Sequence, residues 1–315
     1  EQRCAIEYGE AGLQLARAAG ERAIEGELLY RVGQSYYTLG EYRRAIELLQ
    51  KSVQLTADKR EELTMIPSVV ARTWLAIALT ELGEFAEGLV HAKRALAVAE
   101  QAEHQLSQVL GWLAIGHLLL RKGEFDGAVG ALERGMELCE RWSLRIWRPR
   151  VASSLGVAYA RAGRAEEGLA LARQAVTDVE RMRLGVDKAM VLVRLGQAAL
   201  LSGHVQEAEE RGRQAVEVAV AHEERGYEAW ARFLVGRASW AAGPKNEAEA
   251  AAQIERALDL ARACGARPLV AYCQSALGAI RQRGGDEKTA DELAAAADAT
   301  YAQLGMRPLP LELRR

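Results

Sequence analysis

The side chains in this sequence that are best suited to recognising a ligand are aromatic residues and arginines on one predicted helix face. Trp230, Phe233, Arg237 and Trp240 follow one another at intervals of three, four and three residues, which is the spacing of one face of an α-helix. Trp, Tyr and Arg dominate the energetics of binding sites. The pattern therefore predicts recognition by burial of rings and by cationic contacts rather than the making or breaking of bonds.

Catalytic and metal-binding motifs are absent from the sequence. There is no HxxxH or HExxH pair, no GxxxxGK[ST] phosphate loop, no GxSxG elbow and no CxxC spacing, so neither a zinc site nor a nucleophile with its base is predicted. We expect no enzyme activity, no cofactor and no metal, and we expect the cysteines to be reduced, buried thiols. The histidines and cysteines concerned are His91, His104, His117, His204, His222, Cys4, Cys139, Cys264 and Cys273.

Composition excludes several classes of protein. The 315 residues are 50% hydrophobic, and 41 Lys and Arg nearly balance 43 Asp and Glu, for a net charge of −2. A chain so rich in apolar residues is not disordered, and its charge gives no field that would attract nucleic acid or a membrane surface. No apolar run is long enough to span a bilayer. We expect a cytoplasmic protein, and the strong preference for Arg over Lys suggests a bacterial, GC-rich genome.

A repeat of about 40 residues organises the whole sequence. Its small anchor residue recurs at intervals of 43, 40, 40, 40, 40 and 42 residues. A glycine always follows the anchor by seven residues, and an Ala or Gly always follows it by twelve. The anchors are Gly33, Ala76, Gly116, Gly156, Gly196, Gly236 and Gly278, and the glycines are Gly40, Gly83, Gly123, Gly163, Gly203, Gly243 and Gly285.

Each unit is predicted to be a pair of helices. The anchor and the small residue twelve positions later let two helices cross closely, and the glycine between them ends the first helix in a left-handed conformation. Apolar residues around the anchors fall at helical spacing, as in Trp112, Ile115 and Leu119. We therefore predict an all-α fold with one quasi-linear domain. Its parts are 1–20 (second helix of a truncated repeat), 21–58, 65–101, 104–141, 146–182, 185–222, 225–264 (with a two-residue insert), 267–304 and a tail over 305–315.

These residues resemble the tetratricopeptide repeat family. The resemblance rests on Leu155-Gly156 and similar pairs, the aromatic three residues later (Tyr36, Tyr159), the glycine at plus seven, the aromatic at plus nine (Tyr42, Phe85) and the small residue at plus twelve. It implies a right-handed superhelical solenoid of stacked antiparallel helix pairs. The period of 40 exceeds the family's usual 34, as in the C-terminal regulatory regions of bacterial signalling ATPases, maltose-regulator-like activators and cyclase–ATPase proteins.

In this family the first helix of each pair lines a concave inner face, and that face is where we expect a partner to bind. Counting from the anchors, the inward positions are mostly apolar or aromatic with scattered cations, which is typical of a recognition surface. Whether this stripe is an open groove or is buried by tight winding is left open by the sequence. The candidate residues are Trp230, Phe233, Arg237, Trp240, Tyr30, Gln34, Tyr37, Leu113, His117, Leu120, Arg121, Arg150, Met190, Gln197, Tyr272 and Arg283.

The functional hypothesis is a non-catalytic scaffold for a protein or peptide, with another domain of the same parent protein as one candidate partner. The chain opens without Met, and Ala5, Gly9 and Gly12 fit the second helix of a repeat, so we expect a fragment of a larger bacterial signalling protein. Two alternatives remain: a sensor of a small ligand or signal peptide that controls an upstream ATPase, cyclase or DNA-binding domain, and a self-association module.

Overall fold

The structure is a computed structural model that describes residues 2–56, 65–185 and 187–309, and within these ranges it contains fifteen α-helices, one 3-10 helix and no β-strand. The all-α prediction is confirmed. The helices are α1 (Gln2–Ala19), α2 (Arg22–Thr38), α3 (Tyr42–Leu55), α4 (Pro67–Leu82), α5 (Phe85–Gln101), α6 (Gln105–Lys122), α7 (Phe125–Arg141), α8 (Arg148–Arg161), α9 (Ala165–Met182), α10 (Lys188–Leu201), α11 (Val205–Ala221), α12 (Arg225–Ala241), α13 (Glu247–Cys264), α14 (Arg267–Arg283) and α15 (Glu287–Leu304), with the 3-10 helix over Pro244–Asn246.

Helices α2 to α15 form seven consecutive pairs, each joined by a short turn that contains the repeated glycine. All seven of these glycines have a positive φ, between 80° at Gly203 and 120° at Gly243, a region that side chains other than Gly disfavour. Gly83 and Gly123 have the predicted left-handed helical conformation, whereas Gly243, with a φ of 120° and a ψ of −180°, does not. The two extra residues of the sixth unit are taken up in this same turn, where Pro244–Asn246 forms the 3-10 helix.

The small residues let the two helices of a pair approach closely. In the pair α8 and α9, a Cβ atom on Gly156 would lie 2.6 Å from the carbonyl oxygen of Gly168, which is closer than real Cβ contacts come. Gly156 is the anchor and Gly168 the residue twelve positions later. The two glycines thus place backbone against backbone, as the repeat pattern predicts.

The superhelix winds so tightly that its beginning contacts its end. A Cβ on Gly40 would lie 2.8 Å from Cys264 Sγ, and Gly83 packs against Leu304 in the same way. At the tail, the amide of Arg307 donates to the carbonyl oxygen of Lys122 over 2.9 Å. We call these contacts between α2–α6 and α12–tail the seam. They make the solenoid a closed ring rather than an open spiral.

Two irregular connections depart from the repeat. Residues 57–64 of the first connection lie outside the described residues. The second, over 140–150, leaves Trp142 48% exposed, whereas Trp147 is partly buried against the core. None of the helices in the described ranges is both long and apolar enough to cross a membrane.

Candidate functional site

The predicted inward stripe lies on the inner face of the ring, but that face is packed rather than open. Trp230 and Phe233 are each 3% exposed, and Tyr272 is 2% exposed. The reason is the seam, because first helices from opposite sides of the ring meet across the superhelix axis. The question that the sequence left open is thereby answered: the aromatic stripe is interior packing around small cavities.

One aromatic cluster holds α12 to α14 and to the opposite side of the ring. The Trp230 ring centroid lies 6.2 Å from that of Phe233 and 6.1 Å from that of Tyr272, both in edge-on geometry. The Tyr272 hydroxyl donates to the carbonyl oxygen of Arg121 on α6 over 2.9 Å. The Arg121 guanidinium lies 3.8 Å from the Trp230 ring centroid. Cation–π and aromatic contacts of this kind stabilise a desolvated interior.

A buried carboxylate, Glu81 at the end of α4, stands at the centre of this region. It is 2% exposed, and it accepts hydrogen bonds from His117 Nε2 at 2.9 Å, Arg121 Nε at 3.1 Å and Trp230 Nε1 at 3.3 Å. Burial opposes ionisation of Glu81, but the charge of Arg121 and the hydrogen bond from His117 outweigh it and lower its pKa to about 2. Glu81 is therefore an ionised acid at neutral pH.

His117 is buried beside Glu81. It is 5% exposed because α6 lies inside the ring. Burial lowers the pKa of His117 to about 4, although its hydrogen bond to Glu81 acts in the opposite direction. At neutral pH the imidazole is thus uncharged, and since an ionised carboxylate can only accept, Nε2 carries the hydrogen.

A second polar cluster surrounds Arg150 at the start of α8. Its guanidinium is ion-paired with Asp187 and lies 4.8 Å from the Trp74 ring centroid. Burial disfavours the charge of Arg150, yet the pairing with Asp187 raises its pKa above the usual value. Beside it, Arg194 donates to the Arg150 carbonyl oxygen at 3.2 Å and to Ser153 Oγ at 3.3 Å.

The packed interior leaves an axial cavity of about 40 Å³. That volume accommodates two or three water molecules or one small polar group. Arg121, Arg161 and Arg194 all line it, and no Asp or Glu is found among the lining residues that the structure describes. The lining consists of His117, Leu120, Arg121, Phe125, Val157, Arg161, Arg194, Gln197, Trp230, Tyr272 and Leu309.

Two smaller cavities of about 10 Å³ each adjoin it. One shares His117 and Arg194 with the axial cavity and is also lined by Arg150. The other shares Arg161, Gln197 and Leu309 with it and adds Arg237. Burial lowers the pKa of Arg161 and of Arg194 to about 10, and burial together with the charge of Arg161 lowers that of Arg237 to about 9. All three stay cationic at neutral pH.

Most of the sequence-predicted residues line these three cavities, but some lie elsewhere. Gln34 is half-buried and Tyr30 is buried beside Arg31, and neither lines a cavity. Trp240 and Arg283 stack on each other at 3.2 Å near the edge of the ring. The predicted residues at the cavities are Tyr37, Leu113, His117, Leu120, Arg121, Arg150, Met190, Gln197, Trp230, Phe233, Arg237 and Tyr272.

Several residues of the site were missed from the sequence. Glu81 and Arg194 are single charges inside the apolar segments AIALTEL and VLVRLGQ. A lone charge in an apolar helical segment is typical of a buried ion, so both residues could have been predicted from the sequence. Leu309 gave no such signal, because it reaches the cavity only through the packing of the tail. Among the described residues, no three His, Cys, Asp or Glu side chains are grouped so that they could hold a metal ion.

Comparison with known proteins agrees with this architecture. The tetratricopeptide repeat family model matches residues 26–59, which contain most of α2 and all of α3. No curated protein matches the chain by sequence.

Solved structures match over most of the chain. A Rap protein complexed with Competence and Sporulation Factor is 12% identical, with a TM-score of 0.68 over 90% of this chain and 76% of its own. The Rap conjugation regulator of plasmid pLS20, in complex with the Phr* peptide, is 15% identical, with a TM-score of 0.70 over 92% and 77%. A STAND signal transduction ATPase with a tetratricopeptide repeat sensor, from Pyrococcus horikoshii, is 14% identical, with a TM-score of 0.50 over 89% and 44%.

At this level of identity the similarity shows a shared fold. Residues 26–59 are a tetratricopeptide repeat, and the chain as a whole is an all-α superhelical solenoid of the tetratricopeptide-repeat type.

Proposed function

We propose that this protein is a non-catalytic receptor for a peptide or a short protein segment, which it binds inside the ring. The observation that carries the proposal is the axial cavity, where aromatic rings and arginines from α6, α8, α10, α12 and α14 converge. Aromatic and Arg side chains around a desolvated space are the composition of binding hot spots.

The structural neighbours support a peptide as the ligand. Two solved structures with this fold, the Rap protein and the pLS20 Rap regulator, are complexes with Competence and Sporulation Factor and with the Phr* peptide, respectively. Their likeness to this chain extends over 90% and 92% of its length. Proteins with this fold can therefore form complexes with a peptide, which supports a peptide as the ligand here.

Binding of a peptide requires the interior to open. The cavity of about 40 Å³ holds only a small group, whereas a peptide of several residues needs a few hundred Å³. The tail closes one side of the cavity, since Leu309 lines it and Met306 is 5% exposed. Displacement of the tail, or a widening of the seam, would admit a ligand. Occupancy would thereby change the shape of the ring, which is how a sensor reports its ligand.

The proposal includes a regulatory role for this protein. The STAND ATPase with a tetratricopeptide repeat sensor matches this fold over 44% of its own chain. A ring that changes shape on binding could control a catalytic or DNA-binding domain of a larger bacterial signalling protein. A small-ligand sensor is the second candidate, and the small volume of the cavity favours it.

The proposal is tested by filling the cavity. Gln197 lines both the axial cavity and the one that contains Arg237, so Gln197→Trp should occupy the space and abolish binding. Gln54→Trp is the matched control, because Gln54 is exposed on α3. A randomised library of short peptides is passed over the immobilised wild type and both variants, and the retained peptides are identified by mass spectrometry.

Peptides retained by the wild type and by Gln54→Trp, but not by Gln197→Trp, would support binding inside the ring. Retention by all three proteins alike would show that peptides bind elsewhere. A failure of the wild type to retain any peptide would contradict the peptide-receptor proposal, and a thermal-shift screen with metabolites would then test the small-ligand sensor.

A further inference from the structure

The charges inside the ring do not balance. Five arginines line the three adjoining cavities, namely Arg121, Arg150, Arg161, Arg194 and Arg237. Of these, Arg121 pairs with Glu81 and Arg150 pairs with Asp187, whereas Arg161 and Arg194 have no carboxylate partner among the described residues. The interior therefore carries an excess of positive charge in a space that excludes most water.

Arg161 and Arg194 have no carboxylate partner among the residues that the structure describes. Arg194 is 8% exposed, and its hydrogen bonds go to neutral oxygens of Arg150 and Ser153. Arg161 is partly buried at the end of α8, with its guanidinium 5.8 Å from the Phe125 ring centroid. A buried cation without an anion is costly. Both residues line the axial cavity, so a ligand placed there could supply the missing negative charge.

We propose that the axial cavity is a carboxylate-binding site in which Arg161 and Arg194 hold an acidic group of the ligand. This inference rests on the proposed function, and it names the chemistry of the ligand. A carboxylate suits the site because guanidinium groups bind it through paired N–H donors, and because one such group fits a volume of about 40 Å³. Gln197, on the same wall, can donate a further hydrogen bond through its amide.

A third arginine favours the same ligand. Arg237 lines the adjoining cavity next to Arg161, and the positive charge of Arg161 contributes to the lowered pKa of Arg237. Like charges placed side by side in a buried space repel each other, and an anion between them would remove that repulsion. A cationic peptide would instead add positive charge to this space and increase the repulsion. The ligand should therefore be an acidic peptide or a small carboxylate, not a basic one.

Thermal unfolding of the full chain with simple carboxylates tests the site. Sodium acetate and sodium glutarate are compared with sodium chloride at equal ionic strength and at pH 7. A ligand that binds only the folded state raises Tm, and we expect a rise of about 2–4 °C at concentrations well above Kd for the wild type. Arg161→Gln should lose the rise and Arg161→Lys, which keeps the charge, should retain part of it. The matched control is Arg134→Gln, because Arg134 is an exposed arginine on α7, and it should behave as the wild type does.

Equal carboxylate-dependent shifts in the wild type and in Arg161→Gln would overturn the site, as would a wild type that responds to acetate and glutarate no more than to chloride. Peptides distinguish the two sources of the carboxylate. One probe carries a Glu side chain with both termini blocked, and the other has a free C-terminus and no acidic residue. Loss of affinity in Arg161→Gln for only one of them identifies the group that enters the cavity.

Failure of this inference can be told from failure of the proposed function. If peptides bind in a Gln197-dependent manner but with the same affinity to Arg161→Gln, the receptor function stands and the carboxylate site is refuted. If carboxylates raise Tm through Arg161 while no peptide is retained, the site stands and its ligand is a small acid.

Discussion

The Glu81 carboxylate is enclosed by three donors that come from two distant parts of the chain. His117 and Arg121 belong to α6, while Trp230 lies 149 residues away on α12. His117 and Arg121 thus join neighbouring first helices, whereas Trp230 is both a partner of the buried charge and a link across the ring. A single substitution at this point changes the electrostatics of the interior and the closure of the seam together.

The His117 imidazole makes stability sensitive to pH. Its pKa falls from 6.5 to about 4 on folding, so below pH 6.5 the unfolded chain binds a proton that the folded chain does not. The free energy of unfolding must then decrease as the pH falls, by up to about 1.4 kcal/mol per pH unit. We expect His117→Gln, which keeps a donor for Glu81, to flatten the profile between pH 7 and pH 5. Urea unfolding at several pH values measures it, and parallel profiles for both proteins would refute the assignment.

The Arg161 guanidinium should reduce stability in the absence of ligand. It is cationic in the interior without a carboxylate partner in the described parts of the chain. Arg161→Gln is expected to stabilise the ligand-free protein by about 1 kcal/mol, because removal of a charge retained for binding relieves a desolvation cost. Differential scanning calorimetry in chloride buffer measures the change.

Arg121→Gln provides the contrast. Arg121 pairs with the buried Glu81, so its loss leaves that charge poorly compensated and should destabilise the fold by about 3 kcal/mol. The same sign of change in both variants would mean that Arg161 also has a structural partner.

At the scale of the helix pair, a glycine either allows close contact between two helices or only lowers the helix propensity of its own helix. Alanine substitutions separate the two effects. Gly156 touches the backbone of Gly168, and a Cβ there would lie 2.6 Å from the Gly168 carbonyl oxygen. Gly130, in the middle of α7, has nothing within 4 Å of its Cβ position. We expect Gly156→Ala to destabilise the fold by about 2 kcal/mol through overpacking, and Gly130→Ala to stabilise it by about 1 kcal/mol through helix propensity.

Chemical denaturation of both alanine variants measures this difference. An unchanged free energy of unfolding in Gly156→Ala would mean that α8 and α9 are not in backbone contact.

The helix pairs could be predicted from the sequence because their determinants are local. The anchor and the glycine seven residues later act within one helix and one turn. The positive φ at Gly40 and Gly203 could therefore be predicted without knowledge of the rest of the fold. The site was predicted less completely, since Arg194 and Glu81 each lie one position away from the stripe that the count from the anchors selected. Their burial depends on how far each pair rotates against the next.

At the scale of the whole molecule, closure of the ring could not be predicted. The pitch of a superhelix is the sum of small rotations between successive helix pairs, so it cannot be read from the sequence of any single unit. The residues around Trp230 follow the same pattern in the sequence whether its ring lines an open groove or packs against Glu81, which lies 149 residues earlier in the chain. Only the assembled structure distinguishes the two, because the contacts at Gly40 and Gly83 involve residues more than 200 positions apart.

A crosslink across the seam tests closure directly. A Cβ on Gly40 would lie 2.8 Å from Cys264 Sγ, a distance compatible with a disulfide. Gly40→Cys should therefore form a disulfide with Cys264 under mild oxidation, despite the positive φ of 82° at this position. The crosslinked ring is expected to gain about 2–4 kcal/mol of stability over its reduced form and to admit peptides more slowly.

Non-reducing electrophoresis and mass spectrometry detect the bond, and Gly40→Ser controls for the strain of a side chain at this glycine. Two thiols that remain free and reactive under oxidation would show that the ring is open in solution.

The seam also determines how the chain reaches its folded state. Solenoids usually gain stability one neighbour at a time and can lose their end units independently. Here the Tyr272 hydroxyl bonds to the Arg121 carbonyl oxygen across the seam, 151 residues away, and Arg3 pairs with Glu223 just outside it, 220 residues away. The loop-closure entropy of such contacts must be overcome late in folding. We expect helix pairs to form fast and ring closure to be the slow step. A chain whose two ends hold each other should then unfold in one cooperative transition instead of fraying from its termini.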